Sequence, residues 1–350
     1  MPAFELACVD EPMIPADHDR YSRQILFPGI GKEGQERLLA AHAVIVGCGA
    51  LGSFHAAALA RAGVGRLTIV DRDYVEPSNL HRQWLFEESD AAAALPKAIA
   101  AKRRLAAVNS AIEVRGVVGD LTPTNADDLL SAADLILDGT DNFDTRYLIN
   151  DFSISRNIPW IYGAAVGAYG LTMPVIPNRT ACLRCVYPDP PSGAQPTCET
   201  AGVLNVIISA VASVQIADAL KVLSGSPGAV VPRITTIDLW SAGIRQIAMP
   251  PRDSDCPTCA RREFPHLEES ARAPVTMCGR NAVQIHEARS LNLATLAASL
   301  GSLGEVRTNE FALRFTAPPY DITIFPDGRA IIKGTSDPAC ARALYAKYLG

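Results

Sequence analysis

Four cysteines form two C-x-x-C pairs, Cys182 with Cys185 and Cys256 with Cys259. Four thiolates brought together make a closed tetrahedral site for a structural Zn²⁺. The pairs are far apart in the chain, so such a site must join distant segments. A redox role for either pair is the alternative, but two pairs favour metal. Residues 174–196 are rich in proline, which predicts irregular chain rather than sheet. The sequence therefore predicts that zinc fastens this segment to the end of a domain.

A glycine-rich segment at residues 47–52, GCGALG, follows an apolar run and precedes an Ala-rich segment. Its G-x-G-x-x-G form, between a strand and a helix, lets backbone N–H groups approach a phosphate. Gly47, Gly49, Ala50 and Gly52 are the predicted nucleotide-contacting residues. Asp71 ends the next β-rich run, where a carboxylate can accept hydrogen bonds from ribose hydroxyls. Its alternative role is to cap a loop.

Two cations beyond this loop, Arg82 in SNLHRQ and Lys97 after Pro96, favour ATP over a dinucleotide. A helix N-terminus largely satisfies a diphosphate, whereas cleavage of a triphosphate needs added cations and a metal. The sequence contains no G-x-x-x-x-G-K-[ST] loop, which fits attack at the α-phosphate. An NAD-dependent oxidoreductase is the alternative among enzymes.

Asp141 belongs to a Thr-Asp-Asn segment that follows a buried strand ending at Asp138. Ligands of open α/β sheets bind at this edge, and the Asp141 carboxylate could hold Mg²⁺ there. A helix N-cap is the alternative, and Asn142 is a candidate for that cap.

Cys198 lies outside both C-x-x-C pairs and precedes a long apolar segment, residues 205–224, that is predicted to be helical. A helix N-terminus can lower a thiol pKa and so make a cysteine reactive. The alternative is a buried, inert thiol, because free cysteine is among the most buried residue types.

Alternating strand and helix segments predict an α/β fold, with a mostly parallel sheet covered by helices on both faces. We place the first domain at residues 1–260. Residues 261–350 begin with a charged linker and continue as a small α/β module. Its predicted strands lie at residues 311–316, 321–325 and 329–333, and a helix follows from about residue 337.

The net charge of -5 argues against general attraction to nucleic acid or to anionic membranes. The first twenty residues lack the features of a secretion signal, and no apolar run is long enough to cross a bilayer. Nine cysteines, an odd number, fit metal binding in a reducing compartment better than a disulfide framework. We therefore expect a cytoplasmic protein.

Taken together, these motifs resemble those of the ThiF/MoeB/HesA family, bacterial relatives of E1 enzymes. The resemblance spans roughly residues 20–260. It is carried by RYSRQ at residues 20–24, the glycine loop, Asp71, SNLHRQ, Pro96-Lys97, Thr140-Asp141-Asn142, both cysteine pairs and TCETAG at residues 197–202.

The resemblance implies a Rossmann-like E1/ThiF fold and ATP-dependent adenylation of the C-terminal glycine of a ThiS/MoaD-like sulfur carrier. Such a carrier is a ubiquitin-like protein ending in Gly-Gly, and the reaction releases pyrophosphate. The pathway would make a sulfur-containing cofactor, such as thiamine or molybdopterin, or a metabolite. A sulfurtransferase or cysteine desulfurase would be a further partner. A catalytically idle, zinc-braced scaffold is the alternative outside enzymes.

The resemblance also assigns roles to individual residues. Asp71 would hold the ribose, Asp141 would hold Mg²⁺, and Cys198 would form a thioester or persulfide. Arg23 would reach the nucleotide of the partner subunit in a homodimer. The remaining nucleotide contacts would come from Ser78, Asn79, Leu80, His81, Arg82, Lys97 and Asn142. For the C-terminal module, our hypothesis is that it steers the carrier or the sulfur donor.

Overall fold

The computed structural model describes residues 16–190, 197–198, 200–268, 275–277, 281–287 and 289–350. These residues form two β-sheets, one of eight strands and one of six. The predicted Pro-rich segment falls only partly within this range, because residues 191–196 lie outside it.

The eight-stranded sheet is parallel over five strands and antiparallel over the rest. Its strands are β1 (His42–Val46), β2 (Arg66–Asp71), β3 (Glu113–Val118), β4 (Leu135–Asp138), β5 (Trp160–Val166), β6 (Tyr169–Val175), β7 (Arg233–Asp238) and β8 (Gly243–Ala248). They are arranged β3-β2-β1-β4-β5-β6-β7-β8, and antiparallel pairing begins between β5 and β6. The predicted Rossmann-like, mostly parallel sheet is confirmed.

Our prediction of irregular chain from residue 174 onward is wrong at its start. Pro174 belongs to β6 and pairs with Ile161 of β5. A proline does not donate a ladder hydrogen bond, so the sequence signal pointed away from a strand. The strand exists because Met173 and Val175 are completely buried in the core.

Helices cover both faces of the first sheet, as predicted. In this part of the chain they are α1 (Ser22–Ile25), α2 (Gly31–Ala40), α3 (Ala50–Ala62), α4 (Glu88–Ala92), α5 (Lys97–Val108), α6 (Ala126–Leu130), α7 (Phe143–Arg156), α8 (Leu183–Val186), α9 (Asn205–Leu223) and α10 (Pro265–Glu268). One core packs α7 against the sheet, and a second packs α3, α5 and α9 on the opposite face. Our prediction that no apolar segment is long enough to cross a bilayer is wrong for α9, which passes that test by length and composition. Here α9 packs on α3, β5 and β6.

The six-stranded sheet forms the predicted C-terminal α/β module. Its elements are β9 (Val275–Met277), β10 (Ala282–His286), α11 (Leu293–Leu300), β11 (Glu305–Thr308), β12 (Leu313–Ala317), β13 (Tyr320–Ile324), β14 (Arg329–Lys333) and α12 (Pro338–Leu349). All its strand pairs are antiparallel, in the order β11-β12-β13-β14-β10-β9.

Residues on one face of this second sheet form a separate core with α11 and α12, which includes Phe315, Ile332 and Tyr345. The division of the chain at residue 260 stays a prediction. The backbone N–H of His266 still bonds Asp151 Oδ2 on α7, at 3.1 Å.

Candidate nucleotide and metal sites

A cleft of about 1950 Å³ opens at the carboxyl ends of β1, β2 and β4, where parallel α/β sheets bind their ligands. Ten of the predicted site residues line it. They are Gly47, Gly49, Ala50, Asp71, Asn79, Arg82, Lys97, Asp141, Asn142 and Cys198. Gly52, Ser78, Leu80, His81 and Arg23 are not part of this lining; Ser78, His81 and Arg23 are exposed elsewhere on the chain.

The glycines of the loop between β1 and α3 have different roles. Gly47 has φ +85°, and a Cβ there would lie 2.6 Å from the Gly139 carbonyl oxygen. A Cβ on Gly52 would overlap the carbonyl oxygen of Gly47, so Gly52 is required by packing. Gly49 precedes α3, and the nearest atom to a Cβ there is Gln83 Nε2 at 4.0 Å. Gly49 is therefore the glycine that leaves room for a phosphate.

Asp71, at the end of β2, is buried and holds two loops. Its Oδ2 accepts from the Cys48 backbone N–H at 2.5 Å, and its Oδ1 accepts from that of Asp73 at 2.6 Å. Burial raises the pKa of the Asp71 carboxyl, and the nearby Lys97 ammonium opposes that rise. Each carboxylate oxygen has two lone-pair sites. Capping of the loop and binding of a ribose are therefore compatible roles.

Lys97 begins α5 and is almost completely buried, with its Nζ 3.2 Å from Asp73 Oδ2. This pairing places an ammonium group beside Asp71 at the wall of the cleft. Sequence reasoning missed Asp73. The signal available was a second carboxylate two residues after the strand-end aspartate.

The segment carrying Asn79 and Arg82 begins with a short 3-10 helix, Pro77–Asn79. Asn79 is buried, and its Oδ1 accepts from the Glu76 backbone N–H at 3.2 Å, as part of a reciprocal capping box. Arg82 donates from its guanidinium to the Ser78 carbonyl oxygen at 2.8 Å. The capped turn therefore fixes the start of the segment from which Arg82 reaches the cleft.

The sequence left two roles open after the end of β4, a magnesium ligand and a helix N-cap, and the structure gives the cap to one of two neighbouring residues. Asn142 is the N-cap of α7, since its Oδ1 accepts from the Thr145 backbone N–H at 2.8 Å. Asp141 is exposed at the wall of the cleft. The capping function is thus performed by Asn142, and Asp141 is placed where its carboxylate could meet a bound cation.

Arg146, which sequence reasoning also missed, lies beneath this loop on α7. Its Nε is 3.0 Å from Asp138 Oδ2, and its guanidinium donates to the carbonyl oxygens of Thr140 and Gly163 at 2.8 and 3.0 Å. Burial opposes the charge, but Asp138 raises the pKa of Arg146. A cation in the first turn of the helix that follows a strand-end aspartate was the signal available.

Cys198 is half-buried and lies on the same cleft as Asp141, with its Sγ 3.6 Å from the carbonyl oxygen of Ala165. It lies within a turn that is closed by a hydrogen bond from the Ala201 N–H to the Thr197 carbonyl oxygen, at 2.9 Å. The helix α9 begins only at Asn205. The cysteine is therefore close to the cleft, but the start of the helix does not follow it directly.

The four paired cysteines come together, as predicted. Their sulfur atoms all lie within 4.8 Å of one another, and three Sγ–Sγ distances are 3.8, 3.6 and 3.4 Å. A tetrahedral Zn²⁺ with bonds of about 2.3 Å would place its sulfur ligands roughly 3.8 Å apart. The cluster joins α8 to the turn before α10, so the group could hold a metal ion in a closed site.

The pattern of the ThiF family matches residues 21–258. The chain belongs to the ThiF family.

Two relatives of this ThiF-family chain are named as adenylyltransferases of sulfur carrier proteins. It is 43% identical over 336 residues, 95% of this chain and 99% of the other, to "Sulfur carrier protein ThiS adenylyltransferase" of Bacillus subtilis. It is 40% identical over 247 residues, 69% of this chain and 90% of the other, to "Sulfur carrier protein adenylyltransferase" of Thermus thermophilus. The predicted family is therefore confirmed.

Solved structures of similar fold include that of E. coli MccB with MccA-N7isoASN. Its TM-score is 0.61 at 24% identity, over 69% of this chain and 74% of that one. MccB bound to ATP gives a TM-score of 0.58, over 70% of this chain and 76% of that one, also at 24% identity. At this identity the likeness concerns the fold alone.

Proposed function

We propose that this chain uses ATP to adenylate the C-terminal glycine carboxylate of a ThiS/MoaD-like sulfur carrier protein, with release of pyrophosphate. The observation that carries the proposal is the convergence of Arg82, Lys97 and Asp141 on one cleft beside the glycine loop. Relatives named as sulfur carrier adenylyltransferases support the substrate class.

The chemistry needs no general base, because the carrier's terminal carboxylate is already ionised at neutral pH. The carboxylate oxygen attacks the α-phosphorus, and the bond to the pyrophosphate oxygen breaks. The enzyme must align the two reactants and stabilise the extra negative charge of the transition state. Arg82 and Lys97 supply positive charge, while Gly49 leaves room for the phosphates beside the start of α3.

Two metal ions belong to this proposal. Mg²⁺, held by the Asp141 carboxylate and water, would neutralise phosphate oxygens. Zn²⁺, held by Cys182, Cys185, Cys256 and Cys259, would be structural, because four thiolates leave no open ligand position. Thiolate ligands at these spacings fit zinc better than magnesium.

The partners and cellular setting are also proposals. The chain would act as a homodimer in the cytoplasm, and the exposed Arg23 on α1 would enter the cleft of the partner subunit. The Cys198 thiolate would attack the carrier adenylate to form a thioester and release AMP. Alternatively, it would take the outer sulfur of a persulfide on a sulfurtransferase or cysteine desulfurase, which releases the thiol of that enzyme. The position of Cys198 on the same cleft as Asp141 supports this role.

The alternatives make different demands on the site. A nicotinamide-dependent oxidoreductase does not need Arg82 and Asp141 together on the cleft, and it would release no AMP or pyrophosphate. A zinc-braced scaffold would not need the buried Lys97–Asp73 pair beside Asp71. The oxidoreductase alternative also disagrees with the family match.

Pyrophosphate exchange into ATP, measured with a carrier ending in Gly-Gly, tests the proposal. Arg82→Ala and Asp141→Ala should each lower the carrier-dependent exchange by about 100-fold or more, because each removes charge stabilisation from the transition state. Arg104→Ala is the matched control, since Arg104 on α5 pairs with Glu87 at the protein surface. Near wild-type exchange in the first two variants would refute the assignment.

A further inference from the structure

The polar face of the C-terminal sheet contacts three loops that line the nucleotide cleft. These loops follow β2, precede α5 and follow β3. The contacts come from side chains on β10, β14 and the turn after β11. These side chains contact the loops of the nucleotide cleft and do not belong to the apolar core of the module itself.

The first contact is a cluster of polar side chains around Asp120, which lies just after β3. Asp120 Oδ1 accepts from Arg72 at 2.8 Å, and its Oδ2 accepts from Gln284 Nε2 of β10 at 2.6 Å. Arg329 of β14 is almost completely buried, lies 3.5 Å from the same Oδ2, and donates to the Val118 carbonyl oxygen at 3.4 Å. Arg72 directly follows Asp71, so this cluster ties β10 and β14 to the end of β2.

The second contact reaches the segment that carries Arg82. Lys333 Nζ of β14 lies 2.6 Å from Glu76 Oε1. Glu76 is the N-cap of the short helix Pro77–Asn79, and its side chain also accepts the Asn79 backbone N–H. The ion pair therefore holds the capping carboxylate on which the turn before Arg82 depends.

The third contact reaches the loop before Lys97. Asn309 Nδ2, in the turn after β11, donates to the Ala94 carbonyl oxygen at 3.0 Å. Ala94 has φ +46°, a left-handed conformation that L-residues other than glycine rarely adopt. The bond from Asn309 supports this strained backbone three residues before Lys97.

Apolar packing completes the docking. The Tyr74 ring lies 5.9 Å from that of Phe325, and Tyr74 with Val118 packs against Ala282 and Ile331 of the module. Tyr74 is between Asp73, which pairs with Lys97, and the Glu76 cap. All three polar contacts thus surround one small apolar cluster at the edge of the nucleotide cleft.

We propose that the C-terminal module positions the ATP site, with Gln284, Asn309, Arg329 and Lys333 acting as positioning residues that hold the loops of Asp71, Arg82 and Lys97. The inference rests on the proposed use of ATP. Because binding free energies are reciprocal, bound ATP must then stabilise the docked module by the same amount as the docked module favours ATP.

ATP affinity of the full-length chain tests the proposal. Lys333→Met should weaken ATP binding by about 5- to 10-fold, the lower range of a typical coupling between sites, and raise the KM for ATP while kcat and the carrier KM change little. Glu76→Gln keeps a capping oxygen but loses the ion pair, and should produce a similar loss. The double variant should be no weaker than either single variant, because both remove one interaction.

Lys347→Met is the matched control. Lys347 is also a cation on the module, but it lies over the Tyr348 ring on α12 and is not part of the cleft lining. ATP affinity should stay at the wild-type value in this variant. Hydrogen exchange of β14 should slow when ATP binds to the wild-type chain, and should slow less in Lys333→Met.

Wild-type ATP affinity in Lys333→Met and Glu76→Gln would overturn the positioning role, and so would a defect confined to the carrier KM. Additive losses in the double variant would mean that Lys333 acts on the nucleotide directly and would also overturn it. Failure of the unmodified chain to bind ATP would refute the proposed function itself.

Discussion

Arg146 and Asp138 form a buried ion pair beneath the loop that carries Asp141. Asp138 Oδ1 accepts from the backbone N–H and the hydroxyl of Thr140, at 2.8 and 2.7 Å, and its Oδ2 faces Arg146. The Arg146 guanidinium also lies 4.9 Å from the centre of the Tyr162 ring. The loop that presents Asp141 to the cleft is therefore held from below by charge and hydrogen bonds together.

Removal of Arg146 should be costly, because it leaves the completely buried Asp138 carboxylate without its partner. We expect Arg146→Met to lower the free energy of unfolding by about 3–5 kcal/mol, measured by urea denaturation. Asp138→Asn combined with Arg146→Met should recover part of this loss, since no buried charge then remains.

The helix α7 offers a matched control for that measurement. Arg156 pairs with Asp127 at 2.6 Å, but both side chains are more than half exposed. Arg156→Met should therefore change the free energy of unfolding little, because water and salt screen exposed ion pairs. Equal losses in Arg146→Met and Arg156→Met would contradict the importance of burial.

Single residues show how far the sequence alone could resolve the site. Residue type and spacing placed Asp141 and Asn142 at the end of a strand, but both types are favoured as helix caps. Only the three-dimensional path of the chain showed that Asn142 takes the cap. In the same way Gly52 matches the phosphate-binding pattern, but a Cβ there would collide with the Gly47 carbonyl oxygen. Glycine is therefore required at this position by packing within the protein.

At the scale of elements, the cysteine cluster fastens two short segments to α7. The Leu183 backbone N–H at the start of α8 donates to Asn150 Oδ1 at 2.8 Å, and Thr258 Oγ1 donates to Asp151 Oδ1 at 3.1 Å. The helix α8 has only four residues, too few for independent stability. The proposed metal would therefore be the main cross-link in this part of the chain.

Metal removal tests this cross-link. We expect one Zn²⁺ per purified chain by elemental analysis. Its removal with a strong chelator should lower Tm, because metal binding to a closed thiolate site contributes directly to folding. Cys182→Ser should lose the metal and show the same loss of Tm without chelator. Cys340→Ser, at a cysteine of the C-terminal module, should keep the full metal content; its loss there would contradict the assignment.

Strands were predicted where burial leaves a strong pattern. The apolar strands β1, β2 and β4 are completely or almost completely buried, so their sequences are continuous apolar runs. β8 was not predicted, because five of its six residues are exposed and it adds to the sheet mainly through backbone pairing with β7. Such pairing depends on a distant strand, which local sequence does not reveal.

At the scale of the whole molecule, the polar contacts between the C-terminal sheet and the loops of the first sheet could not be predicted from the sequence. Lys333 and Glu76 are 257 residues apart in the chain, and Gln284 and Asp120 are 164 residues apart. Each is an ordinary surface residue type. Nothing in their spacing indicates that they meet. The sequence indicated a second module, but its contact with the nucleotide loops arises from how the two sheets pack.

The two sheets also have separate apolar cores, joined by a small cluster. Phe315 is completely buried between the second sheet and its helices, and Leu59 is completely buried beneath the first sheet. Among the residues that the structure describes, four buried apolar residues belong to the cluster between them: Ala282, Ala312, Phe325 and Ile331. We therefore expect each sheet with its helices to unfold as its own cooperative unit.

Calorimetry of two core variants tests this division. Phe315→Ala should remove about 3–5 kcal/mol and Leu59→Ala about 2–5 kcal/mol, because each leaves a cavity in a packed core. Each should lower the Tm of only one of two thermal transitions, since the cluster between the sheets is too small to transmit the whole loss. If both substitutions instead displaced a single transition, the chain would be one cooperative unit and the division at residue 260 would have no thermodynamic meaning.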